Sequence, residues 1–182
     1  MLSDFRTRKL ERLFAVMDID SDGVLTDADA ETFVESLATL RELDRSSSKF
    51  ETFRDGFLVY WNDFVRQADL DGDRKVTPEE WLVYHDEMLE DETRFQATTI
   101  VSASMMFMVM DANQDGRISL EEYGQWMRAW GMGDESVNAE IFAKLDRNGD
   151  GHLSNQEVVE MTTEFYYSED PDAPGNWAMG PF

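Results

Sequence analysis

Apolar residues return along this chain in steps of three and four, and four short stretches crowded with acidic and amide residues interrupt them. Leu10, Leu13, Phe14 and Met17 mark a helix over residues 5–17, with Arg6, Arg8, Lys9, Glu11 and Arg12 on its polar side. The period resumes through Phe33, Leu37 and Leu40, and again over residues 50–68 through Phe53, Phe57, Trp61, Phe64, Val65 and Ala68. It continues with Trp81, Leu82, Tyr84 and Met88, and then with the group Met105, Met106, Phe107, Val109 and Met110. Tyr123, Trp126, Met127 and Trp130 follow, then Ile141, Phe142 and Leu145, then Val158, Val159, Met161 and Phe165. Asp44–Lys49 reads as a polar connection, Glu90–Thr93 as a charged break, and Gly131–Gly133 as a stop, after which Asp134 can cap the next helix. The pattern predicts an all-α chain.

The interruptions share one design. Beginning at Asp18, Asp69, Asp111 and Asp146, each runs twelve residues with oxygen donors at positions one, three, five, seven, nine and twelve. That spacing wraps a hard cation of the calcium class, with a backbone carbonyl at seven and a carboxylate closing the ring at twelve. The first loop offers Asp18, Asp20, Asp22, the Val24 carbonyl, Thr26 and Asp29. The third offers Asp111, Asn113, Asp115, the Arg117 carbonyl, Ser119 and Glu122. The fourth offers Asp146, Asn148, Asp150, the His152 carbonyl, Ser154 and Glu157. The second keeps the order with Asp69, Asp71, Asp73, the Lys75 carbonyl, Thr77 and Glu80, but Arg74 stands at position six, where the other three carry glycine. A left-handed residue with a Cβ costs about 1 kcal/mol or more, and Arg74 with Lys75 brings positive charge to the loop, so weak binding or none is expected there. Asp29 at position twelve is one methylene shorter than glutamate, which favours six-coordination and competition from magnesium.

Two further regularities tie the loops to their surroundings. The first, fourth and fifth residues before every loop are apolar, as in Leu13, Phe14 and Met17 or Ile141, Phe142 and Leu145. Position eight is apolar in each, and Ile118 and Leu153 are expected to pair across a short ribbon. The repeat is therefore helix, loop, helix, four times over, and it is identified as EF-hand.

The formal charge is -23, from 16 basic and 39 acidic side chains, which repels nucleic-acid phosphates and anionic lipid. There is no cysteine, so disulfides and thiolate chemistry are excluded. With 42% hydrophobic residues the chain can bury a core, and no apolar run reaches the roughly 18 residues of a membrane span. A cytoplasmic monomer is expected, and not an enzyme. His85 and His152 give little support for an imidazole metal site, and the methionine and aromatic groups are read as core filling.

The uneven spacing of the loops, the aspartate closing the first and the irregular second resemble the sarcoplasmic calcium-binding protein family, in particular its bacterial, calerythrin-like members. The tail over residues 169–182, with its Pro-Gly-Asn-Trp segment, resembles that family too. The resemblance implies two EF-hand pairs, residues 1–90 and 91–167, in one compact globule, with calcium typically at the first, third and fourth loops. Residues 168–182 are expected to form a non-helical tail, broken by Pro171, Pro174, Gly175 and Pro181, that docks Trp177, Met179 and Phe182 on the core. An intracellular calcium buffer or transporter binding three or four ions is the expected function. The alternative is a sensor that exposes a cleft to a target protein.

Overall fold

A computed structural model describes residues 1–180. Among these residues nine α-helices follow in order: α1 Asp4–Met17, α2 Asp27–Leu40, α3 Ser48–Ala68, α4 Pro78–Glu90, α5 Glu92–Phe95, α6 Val101–Met110, α7 Leu120–Ala129, α8 Glu135–Leu145 and α9 Asn155–Tyr167. Between α5 and α6 the turn Gln96–Ile100 is π-helical. The charged break expected near residue 90 is thus narrow: Asp91 ends α4 and caps the next helix through the Arg94 N–H.

The apolar stripes face a shared interior. Phe14, Val65, Phe107 and Phe142, four residues before their loops, are all buried, as are the position-eight residues Leu25, Val76, Ile118 and Leu153. Those four make two antiparallel bridges. Leu25 and Val76 exchange N–H···O bonds of 2.9 and 3.0 Å, and Ile118 and Leu153 exchange bonds of 2.9 and 2.8 Å. Each bridge fastens two loops side by side, the expected pairing of Ile118 with Leu153 included.

The two bridged pairs are joined by aromatic rings. Phe33 of α2 stacks on Trp130 at 4.0 Å between centroids and meets Trp126 edge-on at 5.0 Å. Arg41, just past α2, reaches across to the last turn of α6 and donates to the Val109 and Met110 carbonyls. A cation at a helix C-terminus satisfies orphan carbonyls and complements the dipole. The helix leading into Asp111 is therefore closed by a residue of the other pair.

The tail contradicts one expectation: it is not wholly non-helical. Pro174–Trp177 forms a 3₁₀ turn with proline at its start, where the absent N–H is no loss. Asn176 is fully buried, and its side-chain oxygen accepts from Lys9 Nζ at 2.8 Å while its amide donates to the Asp170 carbonyl. Lys9 also donates to the Ser168 carbonyl, and Arg12 to that of Met179. Gly175 lies so close to α9 that a Cβ would sit 2.5 Å from the Met161 carbonyl oxygen. Pro181, expected to break helix, and Phe182, expected to dock, lie outside the described residues.

A second correction concerns the methionine group. Met110 is buried, but Met105 and Met108 are 37% and 67% exposed, so the group fills the core only in part. Its three-residue spacing puts Met105 and Met108 on the outer face of α6, away from Phe107 and Met110.

A space of about 370 Å³ lies at the centre, walled by side chains of six of the helices. His85 lines it, stacked 5.7 Å from Tyr166, with Nδ1 2.8 Å from the Trp81 carbonyl. Burial lowers the pKa of the ring to about 4, so it is neutral near pH 7. An unfolded histidine takes a proton near pH 6.5, so stability contributed by the neutral ring is present above that pH and is lost as pH falls toward 4. His85→Phe should remove this dependence, gaining up to about 3 kcal/mol on the wild type between those pH values; chelator-treated chains melted at pH 7, 5.5 and 4.5 check it, and parallel curves would refute it.

Candidate metal centres

Each loop is the connection between two helices whose ends the sequence caps. Asp18, Asp69, Asp111 and Asp146 end the entering helices, and their N–H groups still donate back into them at 2.8 to 2.9 Å. At the other end Thr26, Thr77, Ser119 and Ser154 begin the exiting helices in capping boxes with the residue at position twelve. The position-nine hydroxyls, read from sequence as direct or water-mediated ligands, are thus occupied by helix capping. Ser154 Oγ, for instance, donates to Glu157 Oε2 at 2.8 Å and accepts from the Glu157 N–H at 3.2 Å.

The position-twelve carboxylate is fixed from two sides in every loop. Glu157 accepts the Arg147 N–H on one oxygen at 3.0 Å and the Ser154 N–H on the other at 2.8 Å. Glu122 does the same with Ala112 and Ser119, both at 2.9 Å, and Glu80 with Leu70 and Thr77 at 3.0 and 2.9 Å. Asp29 makes the same pair of bonds, to Ile19 at 3.0 Å and Thr26 at 2.8 Å. Being shorter, it is drawn deeper and is 1% exposed, against 7% for Glu122 and 6% for Glu157.

Position one turns its carboxylate into the loop. Asp18, Asp69, Asp111 and Asp146 accept the N–H of position six at 2.8 to 3.0 Å. The carboxylates of Asp18, Asp20 and Asp22 each present an oxygen within 4.8 Å of the others, and so do those of Asp69, Asp71 and Asp73. Asn113 and Asn148 take the middle place in the third and fourth loops, accepting the Asp115 and Asp150 N–H at 2.8 Å. At Glu157 burial opposes ionisation, but the Ser154, Asn148 and Arg147 hydrogen bonds outweigh it and hold the carboxyl below its ordinary pKa. Glu80 and Asp69 are held down in the same way. A ring of ionised oxygens without nitrogen or sulfur donors suits a hard cation of the calcium and magnesium class.

Arg74 behaves differently from what its sequence position suggests. Its φ is +65°, so it does adopt the left-handed conformation. Position four is left-handed as well: Ser21 at +58°, Gly72 at +81°, Gln114 at +62° and Gly149 at +68°. The second loop has moved its glycine from six to four. It thus carries one left-handed residue with a Cβ, the same number as the first and third loops. Nor does the guanidinium sit over its own loop, since it reaches Asp27 Oδ2 at 2.7 Å, at the start of α2. Arg74→Gly removes about 1 kcal/mol of backbone strain and an exposed ion pair worth no more than that. Calorimetric titration should show the second loop binding calcium only a few-fold more tightly; gain of a site absent from the wild type would restore the inference that Arg74 silences it.

Sequence reasoning missed Arg41, which no loop motif contains, and which comes to the third loop only through the packing of α2 on α7. Burial lowers its pKa, which Glu122 and Asp111 oppose.

A family model of the EF hand matches residues 104–127 and 138–161, the third and fourth motifs. Calerythrin of Saccharopolyspora erythraea is 24% identical over 169 residues, which cover 92% of this chain and 95% of that protein. Among solved structures, the calcium-loaded apo coelenterazine-binding protein of Renilla muelleri superposes with a TM-score of 0.80 at 23% identity, covering all of both chains. The sarcoplasmic calcium-binding protein of amphioxus follows with a TM-score of 0.75 at 21% identity, again over all of both chains.

Proposed function

Because the chain shares the EF-hand architecture of the sarcoplasmic, calerythrin-like calcium-binding proteins, we propose that it takes up three or four calcium ions and serves as a buffer or transporter of them. Asp18, Asp20, Asp22, the Val24 carbonyl and Asp29 would hold one ion. Asp111, Asn113, Asp115, the Arg117 carbonyl and Glu122 would hold a second. Asp146, Asn148, Asp150, the His152 carbonyl and Glu157 would hold a third. The second loop joins them through Asp69, Asp71, Asp73, the Lys75 carbonyl and Glu80. A bound calcium ion supplies the positive charge that lets these acids stay packed together. Residues 1–90 and 91–167 act as two loop pairs, with the tail as a strap between the first helix and the last two.

Buffer rather than sensor rests on one observation: where α2 meets α7, the seam between the pairs is filled. Phe33, Trp126 and Trp130 occupy it, and Arg41 crosses it. A sensor would instead free a groove for a target helix. The exposed Val101, Met105 and Met108 on α6 are the feature that favours the sensor alternative.

Calorimetric titration with calcium, with and without millimolar magnesium, tests both parts. Three or four sites should appear, with magnesium weakening calcium most at the first loop. Asp29→Glu should relieve that competition there. A stoichiometry below three, or strong calcium-dependent retention on a hydrophobic column, would overturn the buffer assignment.

A further inference from the structure

We infer that α2 couples the first loop to the third, with Arg41 as the positioning residue through which filling of one raises the calcium affinity of the other. The inference rests on the proposal that both loops hold calcium.

Each end of α2 lies at one of these loops. At its start Asp29, the last donor of the first loop, stands in the first turn, joined to Thr26 in a capping box, and at its end Arg41 is the capping residue. Between them Ala30, Phe33, Val34, Leu37 and Ala38 are fully buried, so the helix is gripped along its length. Fourteen residues rising about 1.5 Å each make a rod of roughly 20 Å. Packed this closely, it transmits a shift at one end to the other.

The backbone around Arg41 is fixed. Leu43 N–H donates to the Ala38 carbonyl at 2.9 Å and Glu42 N–H to that of Thr39 at 3.1 Å, the paired bonds that end a helix through a left-handed residue. Glycine is usual at that place, but here it is Glu42, at φ +51°. Backbone held in so sparsely populated a region gathers at clamps and switches.

The guanidinium spans the two helices that carry the third loop. It donates to the Val109 and Met110 carbonyls, the last of α6, and its Nε–H donates to Gln125 Oε1 of α7 at 3.3 Å. Asp111, the first donor of the loop, follows Met110 directly, and Glu122, the last, lies three residues before Gln125. One planar fork thus sets the two ends of the loop relative to each other, a geometry a lysine cannot reproduce. Its charge also acts on Asp111 and Glu122 and opposes a cation between them. The test therefore compares ratios, from which that constant effect cancels.

The Gly116 N–H, bonded to Asp111, reports the third loop in NMR titrations of the full chain with calcium against a competing chelator. Emptying the first loop with Asp20→Asn and Asp22→Asn should weaken the third about five- to ten-fold, the low end of coupling between sites. In Arg41→Met, which keeps the stem and removes the donors, the same two substitutions should change it less than about two-fold. By reciprocity, Glu122→Gln should weaken the first loop, read at the Gly23 N–H, by the factor seen in the wild type. Gln125→Met, which removes only the α7 acceptor, should also shrink the ratio and serves where Arg41→Met does not fold. Without calcium, Arg41→Met should speed hydrogen exchange at the Asp111 N–H, which donates to the Phe107 carbonyl at 2.9 Å. A residue that merely stabilised the fold would shift third-loop affinity equally whether or not the first loop is intact. The same ratio in wild type and variants, or its full recovery in Arg41→Lys, would overturn the inference. A Gly116 N–H that does not respond to calcium at all would refute ion binding itself and the coupling with it, so the two failures are distinct.

Discussion

The calcium form is expected to melt at least about 20 °C above the chelator-treated chain. Fourteen carboxylates stand at ligand positions in the four loops, gathered in small rings. Without a cation their repulsion acts against the folded state. A ligand at a thousand times its Kd stabilises by about 4 kcal/mol per site, so three sites supply on the order of 12 kcal/mol. For a chain of this length each kcal/mol moves Tm by about 2–4 °C. Differential scanning calorimetry with calcium and with chelator measures the difference. Coincident melting curves would contradict the proposed ion sites altogether.

Removal of residues 171–182 should lower the melting temperature of the calcium form by about 10–20 °C. The deletion takes away the Asn176 oxygen from Lys9, which is 1% exposed. Loss of a hydrogen bond to a buried charge costs about 1.5–3 kcal/mol. Burial pushes the Lys9 pKa down to about 8 even with the tail in place, Glu169 opposing that shift. Ala178, buried in the core, and Trp177, against which Lys144 Nζ rests 3.7 Å from the ring centroid, are lost as well. Together these come to about 4–6 kcal/mol. The cleared surface beside α8 and α9 should bind a hydrophobic dye. Gly175→Ala should give a smaller loss of the same kind, because the Met161 carbonyl leaves no room for the added carbon. An unchanged melting curve and unchanged dye binding after the deletion would show that the tail is not a strap.

How much of this could be read without the structure depended on whether a feature is local. The helix stripes and the donor positions repeat within twelve residues or one helical turn, so periodicity revealed them directly. The pairing of Ile118 with Leu153 was legible because position eight cannot face the ion. Arg74 was read without the glycine that had moved to position four beside it, because left-handed backbone there, seen at Gly72 and Ser21, leaves no mark in a donor pattern. Its partner Asp27 lies 47 residues away. Arg41 and the bond between Lys9 and Asn176 depend on how whole helices meet, and no spacing rule reports that. The 3₁₀ turn was obscured by proline, which breaks helices from within but begins them well. The central cavity is a property of volumes left between six helices, and residue type alone cannot distinguish its wall from solid core.

The strap gives the chain a timetable. Ser3, which caps the first helix, and Arg6 and Lys9 within it hold Glu169, Tyr167, Ser168 and Asn176. During synthesis at roughly 5–20 residues per second, about ten to thirty seconds separate the emergence of Lys9 from that of its last partner. Once α4 has emerged, α1 has its loop and that neighbour but still no cover for its lysine. The first loop pair thus emerges well before Asn176, and the seal over Lys9 has to wait for it.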